Sequence, residues 1–341
     1  IAFYLAFTVF EIPHVTWPSD IAGDSNSKTK LYSYKVFAGY FGLILFYAIP
    51  LLPFFDSTAI TPETLKVTFW IAAILTVPFL IQAMRAVPSG PAAVASPESS
   101  ASSKLSWAVL KEIASNIPFI IFIAALFCSG FAIGMWYGLI YIYVDAYLNM
   151  GEQFAKMFLI AFIVGLLVTP LWYQIAIRTG KKNAWMLAMV LMIISFVFTG
   201  LLEPGHTSFT QLLVLKTIQT CGYVCFTAVA PAMLSEIIDY SQWRSGGEQK
   251  ATYFSVKIFL DKVNGTAGLA LGLALAGWWG FDAAASEHSA EAVAGLKIAI
   301  VWVPTLVACL SLFFIALNPI NERRHKAIRR RLDMRDAQLH K

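Results

Sequence analysis

The sequence has little charge and very few polar stretches. Of its 341 residues, 13% are charged and 58% are hydrophobic, whereas an ordinary soluble domain has about 25% charged residues. A soluble chain of this length has no way to keep so much apolar surface from water. The composition therefore excludes a cytosolic enzyme, a secreted disulfide scaffold and a disordered protein, and it predicts a polytopic membrane protein.

Patterns typical of catalysis or of tightly bound metals are also missing. The five histidines are scattered, the four cysteines show neither paired nor metal-type spacing, and no P-loop, HExxH motif or nucleophile elbow occurs. Short segments of alternating polarity, the pattern of a transmembrane β-barrel, do not occur either. We therefore expect no enzyme activity and no cofactor.

Long apolar runs dominate what is present. A membrane helix needs about 20 mostly apolar residues, and nine such runs lie near 1–17, 36–55, 67–87, 116–147, 155–177, 184–202, 208–235, 253–280 and 295–318. The fold class is therefore predicted as an all-α integral membrane protein. The first run begins abruptly at Ile1, so we expect that part of this helix, and the helices before it, are missing from the chain. Glycines at 265, 268, 272 and 277 predict close helix packing in the eighth run.

The basic residues alternate between the connections. Nineteen of the 25 lie in every second connection and in the tail. The positive-inside rule places these connections and the basic tail, 321–341, in the cytoplasm. The net charge of +5 is therefore a record of topology, and we expect the lipid bilayer, but no nucleic acid, as a partner. The tail itself is predicted to be solvated.

One connection differs from the others. Residues 88–112 begin with a stretch rich in Pro, Ser and Ala, which is typical of a flexible linker. Three apolar runs precede this cytoplasmic linker and six follow it, and two groups of six helices are the layout of the major facilitator superfamily. We therefore expect about nine of twelve membrane helices. Residues 1–87 would be the second half of an N-terminal six-helix bundle, helices four to six, and 113–320 the C-terminal bundle, helices seven to twelve.

Charged residues inside apolar runs are costly and suggest function. Glu11 shares a helical face with Thr8 and His14, which favours a cation or solute site over a structural carboxylate. Lys262 lies near the middle of its run. Since it is rotated by about 100° from Asp261, it needs a partner elsewhere, either a carboxylate on another helix or a solute.

Other charges in the runs have simpler interpretations. Lys257 and Asp261 are four residues apart and are predicted to form a structural pair. Lys216 is expected to extend to the outer interface. The consecutive aromatic residues Trp136 and Tyr137, in the fourth run, fit solute stacking and ordinary packing equally well.

Three segments together resemble the glycoside–pentoside–hexuronide:cation symporters, the melibiose permease-like branch of the major facilitator superfamily. The first contains an acidic-Ile-Pro motif and a spaced basic series, the second the run from Pro231 to Tyr240, and the third the residues that lead to Lys262. The residues that carry the first segment are Glu11, Ile12, Pro13, Asp24, Lys28, Lys30, Leu31 and Lys35, with Lys wherever the family has Arg. The third begins at Tyr253, Phe254 and Ser255.

This resemblance implies roles for particular residues. Glu11 would serve both sugar and cation, Thr8 the cation, and Lys35 and Lys262 the sugar. Lysine at position 35 has no bidentate fork, so sugar recognition need not be preserved there. Structural or gating roles are expected for Asp24, Lys28, Asp239, Tyr240, Lys257 and Asp261.

The expected function is cation-coupled symport of a sugar or glycoside by alternating access, with Na⁺ or H⁺ as the coupling ion. Apart from a Na⁺ at Thr8 and Glu11, no metal is expected. The alternatives are transport of another polar or amphipathic solute, such as a lysophospholipid, and a non-transporting membrane sensor. We expect a functional monomer in the inner membrane of a bacterium, with a cytoplasmic C-terminus.

Overall fold

A computed structural model describes residues 2–22, 24–49, 52, 55, 62–86, 113–245, 250–283, 285, 288–320 and 322–339. The predicted linker, 88–112, lies outside these residues. The helices are α1 (Ala2–Ile21), α2 (Ser25–Ala48), α3 (Pro62–Ala86), α4 (Ile117–Ile142), α5 (Phe154–Thr179), α6 (Lys181–Thr199), α7 (Phe209–Ser245), α8 (Lys250–Trp278), α9 (Ala290–Lys297), α10 (Val303–Leu317) and α11 (Glu322–Leu339). A π-helical turn, Tyr143–Tyr147, extends α4, and another, Ile298–Trp302, joins α9 to α10.

Seven segments of the described chain are long and apolar enough to cross a membrane. They are Glu63–Ala86, Ile117–Tyr147, Gly151–Thr179, Lys181–Thr199, Phe209–Ser245, Lys250–Trp278 and Ala290–Leu317. The first two predicted spans form helices α1 and α2, of 20 and 24 residues. These two are more polar, since α1 contains Glu11, His14 and Asp20 and α2 begins with Ser-Asn-Ser-Lys-Thr-Lys. The predicted all-α membrane architecture is confirmed.

Helices α4 and α8 approach each other through glycines. A Cβ added at Gly268 would lie 2.6 Å from the backbone nitrogen of Met135, and one added at Gly134 would lie 2.6 Å from the carbonyl oxygen of Asn264. The predicted close packing is therefore present at this seam. Not every glycine of the series is needed for this close packing, because a Cβ added at Gly265 or Gly277 would meet open space.

The helices before the linker contact those after it at two places. α2 packs against α5 and α7, and α1 packs against α8. By contrast, α3 exposes apolar side chains such as Phe69, Trp70 and Ile74. Between α1, α2 and α3 lies a largely apolar cavity of about 780 Å³. The contact between the two sets of helices and this cavity are therefore the two candidate places for a functional site.

The end of the bundle where α1, α5 and α7 finish is called the basic end below. Here α11 packs against α7 and buries His325, Ile328 and Leu332. The prediction of a solvated tail is wrong for these residues. Spacings of three and four place all three side chains on one face of the helix.

Candidate functional site

A network of buried polar and charged residues lies at the basic end. It consists of Ser25 and Lys28 on α2, Lys181 on α6, Glu236 and Asp239 on α7, and His325 on α11, and we call it the basic-end network. All six side chains are at most 8% exposed. Because the two acids are three residues apart, they share one face of α7 and reach partners on three other helices.

Asp239 is the centre of one half of this network. The Lys28 ammonium donates to its Oδ2 at 2.7 Å, and Nε2 of His325 lies 2.8 Å from the same oxygen. The Arg329 guanidinium lies 3.9 Å from Oδ1. A single carboxylate therefore connects α2, α7 and α11.

Glu236 is the centre of the other half. Its Oε1 accepts hydrogen bonds from the Lys181 ammonium at 2.7 Å and from the Ser25 hydroxyl at 2.6 Å. Removing one partner from a buried pair of this kind costs about 3–5 kcal/mol, since a charge is left buried without compensation. The network thus fastens α2, from before the linker, to α6, α7 and α11, from after it.

The sequence predicted part of this arrangement. It indicated Lys28 and Asp239 as structural or gating residues, and the structure joins them directly. It did not indicate Lys181, Glu236 or His325. The spacing of Glu236 and Asp239 was the available signal, because two acids on one helical face near an apolar run require basic partners.

Two further residues with predicted gating roles lie beside the network. Asp24 is the N-cap of α2, where its carboxylate accepts hydrogen bonds from the backbone N–H of Ser27 at 2.8 Å and from the Ser27 hydroxyl at 2.7 Å. These bonds hold the pKa of Asp24 below its usual value. Tyr240 is half-buried on α7, with its ring centroid 6.0 Å from that of Trp243.

A second pair of charges lies within the bundle. Nζ of Lys262, on α8, is 3.8 Å from Oε2 of Glu11, on α1, and both side chains are about one-third exposed, at 34% and 29%. Among the residues that the structure describes, Oε2 of Glu11 receives no hydrogen bond. We call this the Glu11–Lys262 pair. It connects the two sets of helices, as the network does at the basic end.

The remaining predicted site residues lie nearby or outside the described atoms. Lys35, half-buried on α2, is close enough to Glu11 and Lys257 to interact with their charges. Lys257 and Asp261 form the predicted ion pair, at 2.5 Å. The side chain of Thr8 lies outside the described part of the structure.

The chemistry of the Glu11–Lys262 pair is that of a polar binding site. An acidic oxygen without a hydrogen-bond donor has the capacity to accept a proton or a Na⁺ ion. A partly exposed carboxylate and ammonium together offer acceptors and donors to a hydroxyl-rich solute. Among the described His, Cys, Asp and Glu residues, no group of three or more is placed to hold a metal ion.

Lys216 does not lie where the sequence placed it. Its side chain is 2% exposed on α7, so the prediction that it extends to the membrane interface is wrong. The ammonium lies 4.4 Å from the ring centroid of Tyr137 and 4.1 Å from that of Phe158. The depth of a residue along a helix is readable from sequence, but the face that turns inward is decided by packing.

Comparisons with known proteins agree with this architecture. A family model described as "MFS/sugar transport protein" matches residues 1–322. The uncharacterized symporter YnaJ of Bacillus subtilis (strain 168) is 22% identical over 341 residues, which cover 97% of this chain and 71% of that protein.

Two relatives have names that state a solute. The isoprimeverose transporter of Lactiplantibacillus pentosus is 25% identical over 223 residues, 62% of this chain and 44% of that protein. The sodium-dependent lysophosphatidylcholine symporter 1 of Xenopus tropicalis is 21% identical over 229 residues, 67% of this chain and 43% of that protein. The matched part of the chain thus spans less than half the length of these two relatives.

Proposed function

The chain belongs to the MFS/sugar transport protein family and has its helical bundle, and from this premise we propose that it is a cation-coupled symporter of a sugar or glycoside-like solute. The observation that carries the proposal is the Glu11–Lys262 pair. It brings a carboxylate and an ammonium together, 3.8 Å apart, between α1 and α8. Such charges are costly inside a membrane and are typical of solute and ion pathways.

In this proposal the two charges have different roles. Glu11 accepts the coupling ion, Na⁺ or H⁺, on the oxygen that receives no hydrogen bond from a described residue. Neutralisation of Glu11 weakens its attraction for Lys262, so the ammonium becomes available to hydroxyl groups of the solute. Lys35, whose charge interacts with that of Glu11, assists from α2. Binding of ion and solute is thereby linked.

The basic-end network acts as the gate of this transporter. Because it fastens α2 to α6, α7 and α11 by buried ion pairs and by the contact of His325 with Asp239, it closes the pathway at the basic end. We infer that this end is cytoplasmic, since the basic connections and α11 lie there. Alternating access then requires that these pairs separate as the two sets of helices rock.

One observation favours an amphipathic solute as a second candidate. The cavity between α1, α2 and α3 has a volume of about 780 Å³. Its lining is largely apolar and includes Phe10, Trp17 and Leu45. An apolar cavity of this size suits an acyl chain better than a sugar. One relative is named as a lysophosphatidylcholine symporter, so a lysophospholipid is the alternative solute.

Transport by the reconstituted protein tests both candidates. The protein is placed in liposomes, and uptake of labelled isoprimeverose, melibiose and lysophosphatidylcholine is followed with and without an imposed Na⁺ or H⁺ gradient. We expect a sugar to accumulate only when one gradient is present. Lysophosphatidylcholine accumulation would select the second candidate instead. Binding of a sugar without accumulation under either gradient would contradict symport and favour a membrane sensor.

A further inference from the structure

One lysine of α7, which is not part of the Glu11–Lys262 pair, is buried in a cage of aromatic rings from α4 and α5. Lys216 lies about 10 Å along the axis from the start of α7 at Phe209, at the end of the bundle opposite to the network. Its ammonium is 5.1 Å from the ring centroid of Trp136 and 5.9 Å from that of Phe162, in addition to the closer rings of Tyr137 and Phe158. Aromatic faces attract a cation placed over them.

The described partners of this ammonium are neutral. Lys216 donates to the hydroxyl of Tyr137 at 3.1 Å and to Oε1 of Gln219 at 2.9 Å. A lysine ammonium has three N–H donors, and these two bonds use two of them. None of the ion pairs formed by described residues includes Lys216. An ammonium at this position therefore has no counter-charge among the described residues, in a region that excludes water.

Polar atoms without partners surround the same place. Nε2 of Gln219, the hydroxyl of Thr220, the hydroxyl of Tyr40 and Nε1 of Trp136 are buried and have no hydrogen-bond partner among the described residues. The amide nitrogen and the indole nitrogen are donors only, as is the ammonium. Buried polar groups in a folded protein normally have hydrogen-bond partners, so four such atoms without a described partner are unusual. A ligand group that accepts hydrogen bonds would satisfy the donors.

The cluster lies where the two sets of helices meet. Tyr40 comes from α2, and its ring centroid is 5.7 Å from that of Phe162 on α5. Gly165 is required there, since an added Cβ would lie 2.7 Å from the Tyr40 ring and 3.1 Å from Thr220. Tyr40 thus covers the cluster from the side of α2, and separation of α2 from α5 would uncover it.

We propose that Lys216, Gln219, Thr220 and Tyr40 form a subsite for an oxyanion, a carboxylate or phosphate carried by the transported solute. The oxyanion supplies the counter-charge that Lys216 lacks among the described residues and accepts hydrogen bonds from the unpartnered donors. This inference rests on the proposed transport function and deepens it, because it predicts that the solute is an anion. A sugar acid and a lysophospholipid both present this chemistry.

Binding to the purified full protein in nanodiscs tests the proposal. The probes are two pairs that differ in one anionic group: D-glucuronate with D-glucose, and lysophosphatidate with monoacylglycerol. We expect the anionic member of one pair to bind at least about tenfold more tightly, which corresponds to about 1.4 kcal/mol. The pair that shows the preference distinguishes a sugar acid from a lipid. Lys216→Met should abolish the preference.

Two further variants make the test decisive. Lys156→Met is the matched control, because Lys156 also lies near an aromatic ring, 5.4 Å from the centroid of Phe209, but is exposed; it should keep the preference. Gln219→Glu should abolish it with Lys216 in place, since a permanent carboxylate then neutralises the ammonium. This variant decides the question if Lys216→Met does not fold.

Three results would overturn the proposal. They are equal binding of both members of each pair by the wild type, an unchanged preference in folded Lys216→Met, and an unchanged preference in Gln219→Glu. Gradient-driven uptake of a neutral sugar together with any of these results would remove the oxyanion subsite and leave the symport function standing. Absence of any gradient-driven uptake, with the anion preference present, would contradict the symport function alone.

Discussion

Glu11 and Lys262 lie 251 positions apart in the sequence, yet their charged atoms are 3.8 Å apart in the structure. Placing either charge alone inside a membrane has a high free-energy cost, and pairing with the opposite charge lowers that cost. The pairing also leaves both side chains about one-third exposed, so it does not bury them completely. This combination of charge and access is what a binding site needs.

Replacing Lys262 removes the ammonium that the proposed solute site requires. We expect Lys262→Ala to lower the initial rate of solute uptake about 10- to 100-fold, because hydrogen bonds to charged groups are worth about 1.5–3 kcal/mol. The measurement is uptake of the transported sugar into liposomes at equal protein content. Lys66→Ala, at an exposed position of α3, is the control and should transport normally. Normal uptake by Lys262→Ala would remove this residue from the site.

The residue-scale predictions succeeded where rotation about a single helix was sufficient. The rotation of Lys262 from Asp261 indicated that Lys262 needs a partner on another helix, and a carboxylate on α1 fills that place. Which carboxylate it is depends on the pairing of α1 with α8, a long-range contact that local spacing does not contain. For Lys216 the depth was readable, whereas the cage of Trp136 and Phe158 that turns it inward was not.

At the scale of helices, the seam between α4 and α8 depends on two close backbone approaches. Gly268→Ala should lower the melting temperature of the purified protein, because its Cβ would meet backbone atoms of Gly134 and Met135 at 2.9 Å and 2.6 Å. Overpacking of this kind costs about 1–3 kcal/mol. Gly265→Ala is the matched control on the same helix and should be neutral, since its Cβ meets open space. Equal melting temperatures for both variants would contradict this seam.

Helix α11 adds stability through a narrow apolar face. Leu332 is 2% exposed, and Leu332→Ala should cost about 2–5 kcal/mol of unfolding free energy. Met334→Ala removes a side chain of similar size from the same helix, but at a position that is 53% exposed, so it should change stability little. Thermal unfolding of both purified variants gives the comparison. An equal effect at the two positions would mean that α11 does not dock.

The sequence predicted the positions of the helices better than it predicted which faces of the helices are buried. Seven predicted runs recur as segments able to cross a membrane, because length and hydropathy decide that property. The tail was misread because its many Arg and Lys residues outweigh the face formed by His325, Ile328 and Leu332. A helical-spacing test of 322–339 would have found that face. The predicted linker, 88–112, lies outside the described residues and stays a prediction.

At the scale of the whole molecule, the basic-end network joins α2 to α6, α7 and α11, and in the proposed transporter it closes the basic end. Asp239→Asn should leave Lys28 buried without its counter-charge, at a cost of about 3–5 kcal/mol. We therefore expect the closed state to become less populated. The probe is a cysteine introduced at Thr29, which is 1% exposed beside Lys28, labelled by a membrane-impermeant maleimide from the basic end.

The expected result is labelling at least about tenfold faster in the Asp239→Asn background, which corresponds to a population shift of only about 1.4 kcal/mol. The protein without the cysteine at position 29 gives the background rate. Asp24→Asn serves as a matched control, because Asp24 is exposed and caps α2 without joining the buried pairs. An unchanged labelling rate in a folded Asp239→Asn protein would mean that the network is not the gate.

Accumulation of the solute under an imposed ion gradient tests whether Glu11 couples an ion to solute movement. Wild type and Glu11→Gln are reconstituted at equal density, with Glu63→Gln, an exposed acid of α3, as the control. We expect a Na⁺ or H⁺ gradient to raise the accumulation of the solute severalfold in wild type and in Glu63→Gln. The same gradient should have no effect in Glu11→Gln. Full gradient dependence in Glu11→Gln would mean that Glu11 does not couple the ion to the solute.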